Sequence, residues 1–134
     1  MMTELMTLRV PGTPAYIKIT EMAVAGVAAL AGFDVEAVQD IKMATGEACK
    51  HITCHGFDCW SEHYEVYCTL EEDKMTVTIT DINAKHELAK TGKTCLECPQ
   101  EGDLSYCLIQ SMVDEVQVKT TENQTKSIIM VKNK

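Results

Sequence analysis

The chain has 134 residues, a formal net charge of −8 at neutral pH and 46% hydrophobic residues, which fits one domain around a single core. Aromatics make up only 5% of it, so that core must be built from Val, Ile, Leu, Ala and Met. The acidic balance excludes a general nucleic-acid binder, because neutralising phosphates takes clustered Lys and Arg; a protein or a small molecule is the expected partner. The apolar run from Met22 to Phe33 is about half of the ~20 residues that cross a bilayer. No basic stretch followed by an apolar one opens the sequence, so neither a membrane span nor a signal peptide is expected, and a cytoplasmic location follows. Seven cysteines, an odd number, argue against a disulfide framework. Cys68 and Cys107 are expected to face the core as small hydrophobes.

In chain order, Leu5 to Val10 alternates Met6, Leu8 and Val10 with Thr7 and Arg9 and stops at Pro11-Gly12, which predicts a strand and a turn. Thr13 is then placed to cap a helix with Pro14 at its first position. That helix is expected to run to about Ala31 and to be closed by Gly32. Phe33, before an Asp34 cap, is expected to staple onto Val38 of a second helix whose core stripe is Val38, Ile41, Thr45, Ala48 and Ile52. At ~100° per residue, Glu47, His51 and Cys54 fall on a flank of that helix, rotated roughly 80 to 140° from the stripe. Next, Tyr64, Val66, Cys68 and Leu70, then Met75, Val77 and Ile79, alternate with polar residues on either side of Glu71 to Lys74 and predict a hairpin that Asp81 ends. Residues 82–102 have no clear period, and a loop of that length reads as a lid or binding segment. Leu104 to Val113 returns to helical spacing, and Glu115 to Thr120 with Lys126 to Lys132 predict a closing hairpin. The order predicts an α+β two-layer sandwich, its sheet mixed but mostly antiparallel and covered on one face by helices.

The most informative stretch is Gly46 to Phe57, reading Gly-Glu-Ala-Cys-Lys-His-Ile-Thr-Cys-His-Gly-Phe. It sets Glu47 one helical turn before His51 and two before His55, on one side of a helix that Gly56 ends. With Ala31-Gly32-Phe33 and Asp40-Ile41-Lys42-Met43-Ala44 upstream, and Glu101-Gly102-Asp103-Leu104, Met112-Val113-Asp114-Glu115-Val116 and Thr125 to Lys132 downstream, this sequence resembles the Bergerat-fold (GHKL, histidine-kinase-like) ATPases. Within them it is similar to the anti-sigma factor serine-protein kinases of bacteria. The resemblance spans almost the whole chain and implies one ATPase-like domain over 1–134, ATP and Mg²⁺ as cofactors, a sigma factor and an anti-anti-sigma protein as partners, and a homodimer.

Residue by residue, the resemblance implies that Glu47 is the general base and that Asp81 receives the adenine amino group. His51 stands where the family has an Asn that holds Mg²⁺, and imidazole suits a hard, oxygen-preferring ion poorly. The first glycine box reads Asp81-Ile82-Asn83-Ala84-Lys85, without its glycines. The phosphate box reads Glu101-Gly102-Asp103-Leu104-Ser105, where the Asp103 carboxylate opposes phosphate and can cap the helix itself. Thr125 resembles a pocket-lining residue. Three departures in three boxes predict a degenerate nucleotide site on a retained regulatory fold, an anti-sigma-factor-like binding protein. Two alternatives stand beside it. One is an active ATP-dependent kinase of an anti-anti-sigma protein. The other is a metal or thiol sensor in which His51 and His55, at i and i+4, meet Cys95 and Cys98 of the lid around zinc.

Overall fold

The computed structural model describes residues 3–52, 63–82, 106–120 and 126–134; at positions 51, 52, 120 and 126 it describes the backbone alone. The elements are β1 (Glu4–Pro11), α1 (Pro14–Leu30), α2 (Val35–Ile52), β2 (His63–Leu70), β3 (Lys74–Ile82), a helical segment α3 over 106–112, β4 (Glu115–Thr120) and β5 (Lys126–Asn133). The strands form one sheet in the order β1-β2-β3-β5-β4. All four described pairings are antiparallel, which narrows the expected mixed, mostly antiparallel sheet to a wholly antiparallel one among the described residues.

Alternation sets the face of each strand. In β2, Tyr64, Val66 and Cys68 are buried, and in β3 Met75, Val77, Ile79 and Asp81 are, while the residues between them are half-exposed. β3 therefore runs one residue beyond the predicted stop, and Asp81 belongs to the row that faces the helices. Ile128 and Met130 of β5 continue the same layer, and Ile17, Val24 and Ala28 of α1 close it with Ile41, Ala44, Ala48 and Cys49 of α2 and Ile109 of α3.

The helix ends follow from their local chemistry. Thr13 has the extended backbone of a cap (φ −117°, ψ 158°) and Pro14 takes the first helical position, but the Thr13 hydroxyl makes no capping hydrogen bond; its carbonyl oxygen instead accepts from the Tyr16 N–H. At the other end Gly32 adopts φ +94°. The Phe33 N–H donates to the Ala28 carbonyl and the Gly32 N–H to that of Ala29, the paired bonds of a Schellman stop that only a left-handed residue at position 32 permits. Asp34 then caps α2, its Oδ1 accepting from the Ala37 N–H at 2.8 Å. Phe33 and Val38 are both half-buried against the core, the placement a hydrophobic staple needs.

Candidate functional site

α2 is the element that carries the chemistry, and its three rows have different surroundings. Ile41, Ala44, Thr45 and Ala48 form the buried row, with the Thr45 hydroxyl donating to the Ile41 carbonyl at 2.8 Å so that a polar atom can lie in the core. On one flank, Gly46 and Cys49 face α1. A Cβ added at Gly46 would lie 2.7 Å from Glu21 Oε1, so the carboxylate of α1 rests directly on the bare backbone of α2. Burial, and behind it the Glu21 charge, pushes the Cys49 thiol up to about 12. It is an inert thiol in consequence, since the thiolate is the reactive form.

The opposite flank holds Asp40, Glu47 and position 51, spaced seven and four residues apart and hence in one row. Asp40 shows where this row points. Its Oδ2 lies 3.4 Å from Lys132 Nζ of β5, and the same ammonium donates to the Met112 carbonyl at the end of α3 at 2.7 Å. The row therefore faces the side of the molecule occupied by β5 and α3. Glu47 is 21% exposed there and pairs with Lys50 at 3.4 Å, one turn on. A partly exposed carboxylate on a helix fixed by a fully packed neighbouring row is a group that can accept a proton from a neighbouring molecule.

β3 brings the second acid. Asp81 is fully buried at the inward end of its strand, opposite Tyr64 of β2, and α2 packs directly on β3. At the other end of the same face, Lys132 takes the inward position after Ile128 and Met130 and stands opposite Met75. The helix-facing side of the sheet thus ends in an acid at one edge and a base at the other.

A protein-family model described as "Histidine kinase-like ATPase domain" matches residues 10–132. The chain belongs to this histidine kinase-like ATPase family. The chain is 28% identical to the serine-protein kinase RsbW of Listeria innocua, across 98% of this chain and 88% of that protein. It is 24% identical to RsbW of Bacillus pumilus, with the same coverage. RsbW of Bacillus cereus is 26% identical over 96% of this chain and 84% of its own length. Family membership accounts for the α+β architecture.

Of the residues that the family resemblance singled out, the structure describes Glu47 and Asp81 in full and carries them on two elements in contact. It describes His51 as part of α2 by its backbone alone. Asn83, Gly102, Asp103, Thr125, His55, Cys95 and Cys98 lie outside the described residues. Among the described residues no group of three or more His, Cys, Asp or Glu side chains is placed to hold a metal ion, and no helix is long and apolar enough to cross a membrane. Cys68 faces the core as expected, its thiol raised to about 11 by burial. Cys107 does not: α3 turns Ile109 inward and leaves Cys107 at the surface. Two features escaped the sequence reading, the Glu21 carboxylate over Gly46 and the Lys132 bridge. Only the second left a signal, a lysine in the inward phase of an alternating strand.

Proposed function

We propose that this histidine kinase-like ATPase domain is an anti-sigma-factor-like regulatory protein of the cytoplasm, acting as a homodimer, which binds a sigma factor or its antagonist and whose nucleotide site has degenerated. The reading is carried by the row on α2. Glu47 keeps the place of an acid that can take a proton, while the position one turn later, which shares its flank, is His51. An imidazole is a poor partner for Mg²⁺, so the residues present fit the adenine side of ATP, through Asp81, better than the metal side. Asp103 in the phosphate box and Lys85 in the first glycine box point the same way. When bound, ATP would supply a transferable phosphoryl group; Asp81 would hold the base amine, and Glu47 would orient or deprotonate a hydroxyl.

The relatives named serine-protein kinases support the alternative, an active kinase of an anti-anti-sigma protein. Calorimetric titration of the full chain with ATP and Mg²⁺ separates the two. The degenerate site predicts no binding at micromolar nucleotide; micromolar affinity would sink that part of the reading. Mixing the protein with candidate sigma factors is expected to give a complex without nucleotide, and the absence of any complex would remove the regulatory part. The third reading, zinc or thiol sensing, has no support from Cys49 or Cys68, whose thiols are buried and raised. Elemental analysis of protein purified without chelator tests it at His51, His55, Cys95 and Cys98.

A further inference from the structure

β4 closes the sheet at the edge opposite β1, and among the described residues it pairs with β5 alone. Three hydrogen bonds fix which way the backbone of β5 points. The Val131 carbonyl accepts from the Asp114 N–H at 2.9 Å and the Asn133 N–H donates to Asp114 Oδ2 at 2.7 Å, both on the β4 side, while the Lys134 N–H donates to the Asp73 carbonyl just before β3. Odd-numbered residues of β5 therefore turn their backbone groups to β4, where Ser127, Ile129 and Val131 stand opposite Lys119, Gln117 and Glu115. By the same alternation, the N–H and C=O groups of Val116 and Val118 point away from β5, out of the sheet. Such an edge is a template for one more strand. A cleft of about 610 Å³, to which Val113, Val116, Gln117 and Val131 contribute, adjoins it.

The side chains of this edge are complementary to their own reverse. From Glu115 to Lys119 the strand reads Glu-Val-Gln-Val-Lys. Glu115, Gln117 and Lys119 are exposed, while Val116 and Val118 are half-buried against the core. Laid antiparallel to a second copy about a twofold axis at Gln117, Val116 meets the copy's Val118 with the outward backbone groups of both aligned, and on the other face Glu115 meets the copy's Lys119. Opposite charges and β-branched residues placed directly across a ladder stabilise it. The net charge of −8 makes two copies repel in general, but Glu115 and Lys119 are the only charged residues of β4 and cancel, so at this edge the repulsion gives way to attraction in one register.

We infer that β4 pairs edge to edge with β4 of a second copy of this chain, antiparallel about Gln117, joining two five-stranded sheets into one continuous sheet. The inference goes beyond the function proposed above and rests neither on its nucleotide site nor on the surface through which its homodimer forms. A single strand edge covers less than the ~800 Å² per partner of a standard interface, so the association is weak and shows at high concentration.

Sedimentation equilibrium of the full chain from ~10 μM to ~1 mM tests it. Wild type should gain mass across this range. Val118→Pro removes an N–H that the pairing with β5 does not use, and it should weaken that association at least about 100-fold with an unchanged circular dichroism spectrum. Glu115→Lys and Lys119→Glu should each weaken it about tenfold by setting like charges across the ladder, although the first lowers the net negative charge and would strengthen a contact without register. The double variant Glu115→Lys/Lys119→Glu should recover the wild-type constant. The two positions are about 14 Å apart along one strand, so that recovery arises only between copies, and this charge series decides the matter even where the proline variant does not fold. A wild-type mass that stays constant, a folded Val118→Pro that matches wild type, or a double variant no better than the single ones would overturn the proposal. An edge that receives a strand of another protein instead would leave all these masses equal, and that result overturns it too.

Discussion

The two flanks of α2 begin from the same helix and end in opposite conditions. Toward α1, Gly46 and Cys49 are covered so closely that a carboxylate lies on glycine backbone and a thiol is held neutral. Toward β5 and α3, Asp40 and Glu47 keep partial exposure and pair with lysines at 3.4 Å. The closed flank and the buried row between them hold the helix in place. The open flank can then carry groups whose value lies in what they touch outside the chain. Adjacent residues, Gly46 and Glu47, have opposite roles because ~100° of rotation separates them.

The strongest way to break this contrast is to loosen the row that both flanks depend on. Ile41→Ala removes a side chain only 2% exposed from the centre of that row and should cost about 2–5 kcal/mol in urea unfolding, with the slope of the transition unchanged. A loss below ~1 kcal/mol would mean that α2 is not anchored as described. The next effect comes from the closed flank alone. Burial, with the Glu21 charge behind it, pushes the Cys49 thiol up to about 12 in the fold from an ordinary 9.0. A raised thiol favours the protonated, folded form, so its contribution is complete below pH 9 and is lost as pH climbs from about 9 toward 12. The full linkage is a few kcal/mol at most. Unfolding free energies measured from pH 8 to 11 should fall less steeply in Cys49→Ala than in wild type, with Cys68, raised to about 11, leaving a smaller slope in both. Identical slopes would show that Cys49 is not sealed.

How legible this was depended on whether a feature repeats. The alternation of Tyr64 to Leu70 and Met75 to Ile79 marked a hairpin that the structure extends by one residue to His63 and at the far end to Ile82, and Glu115–Thr120 has the bounds that its pattern predicts. Gly32 and Asp34 act locally, so their roles were readable too. Asp81 was legible as a candidate through the family pattern but not as a buried residue: an acid after a strand reads as its end, whereas its phase with Met75, Val77 and Ile79 places it inside. Cys107 misled because α3 turns Ile109 and, less deeply, Met112 toward the core, a phase that leaves Cys107 at the surface. Contacts between distant positions left least trace. Lys132 and Asp40 are 92 residues apart, and nothing near Glu21 announces that it will meet Gly46.

On the open flank the expected effects are smaller. Lys132→Met keeps an apolar stem beside Met75 but removes the donor to the Met112 carbonyl and the charge near Asp40. It should cost about 1 kcal/mol, and hydrogen exchange should accelerate in α3 before it does in β3. Uniform acceleration would mean that the bridge supports the sheet and not the helix.

The smallest effect on stability is the most informative about function. Glu47→Gln keeps the shape of a side chain that is 21% exposed and weakens a surface pair with Lys50 whose nitrogen side is 49% exposed. Such pairs contribute about 0–1 kcal/mol, so the melting temperature should hardly move. If the nucleotide site is degenerate, phosphate transfer to a serine-bearing partner protein is already negligible in wild type, and Glu47→Gln leaves both that rate and the affinity for the partner unchanged. If wild type transfers phosphate at a measurable rate and Glu47→Gln lowers it by 100-fold or more, as loss of a general base does, the open flank is catalytic. The difference between the two sides of α2 would then be one between packing and chemistry.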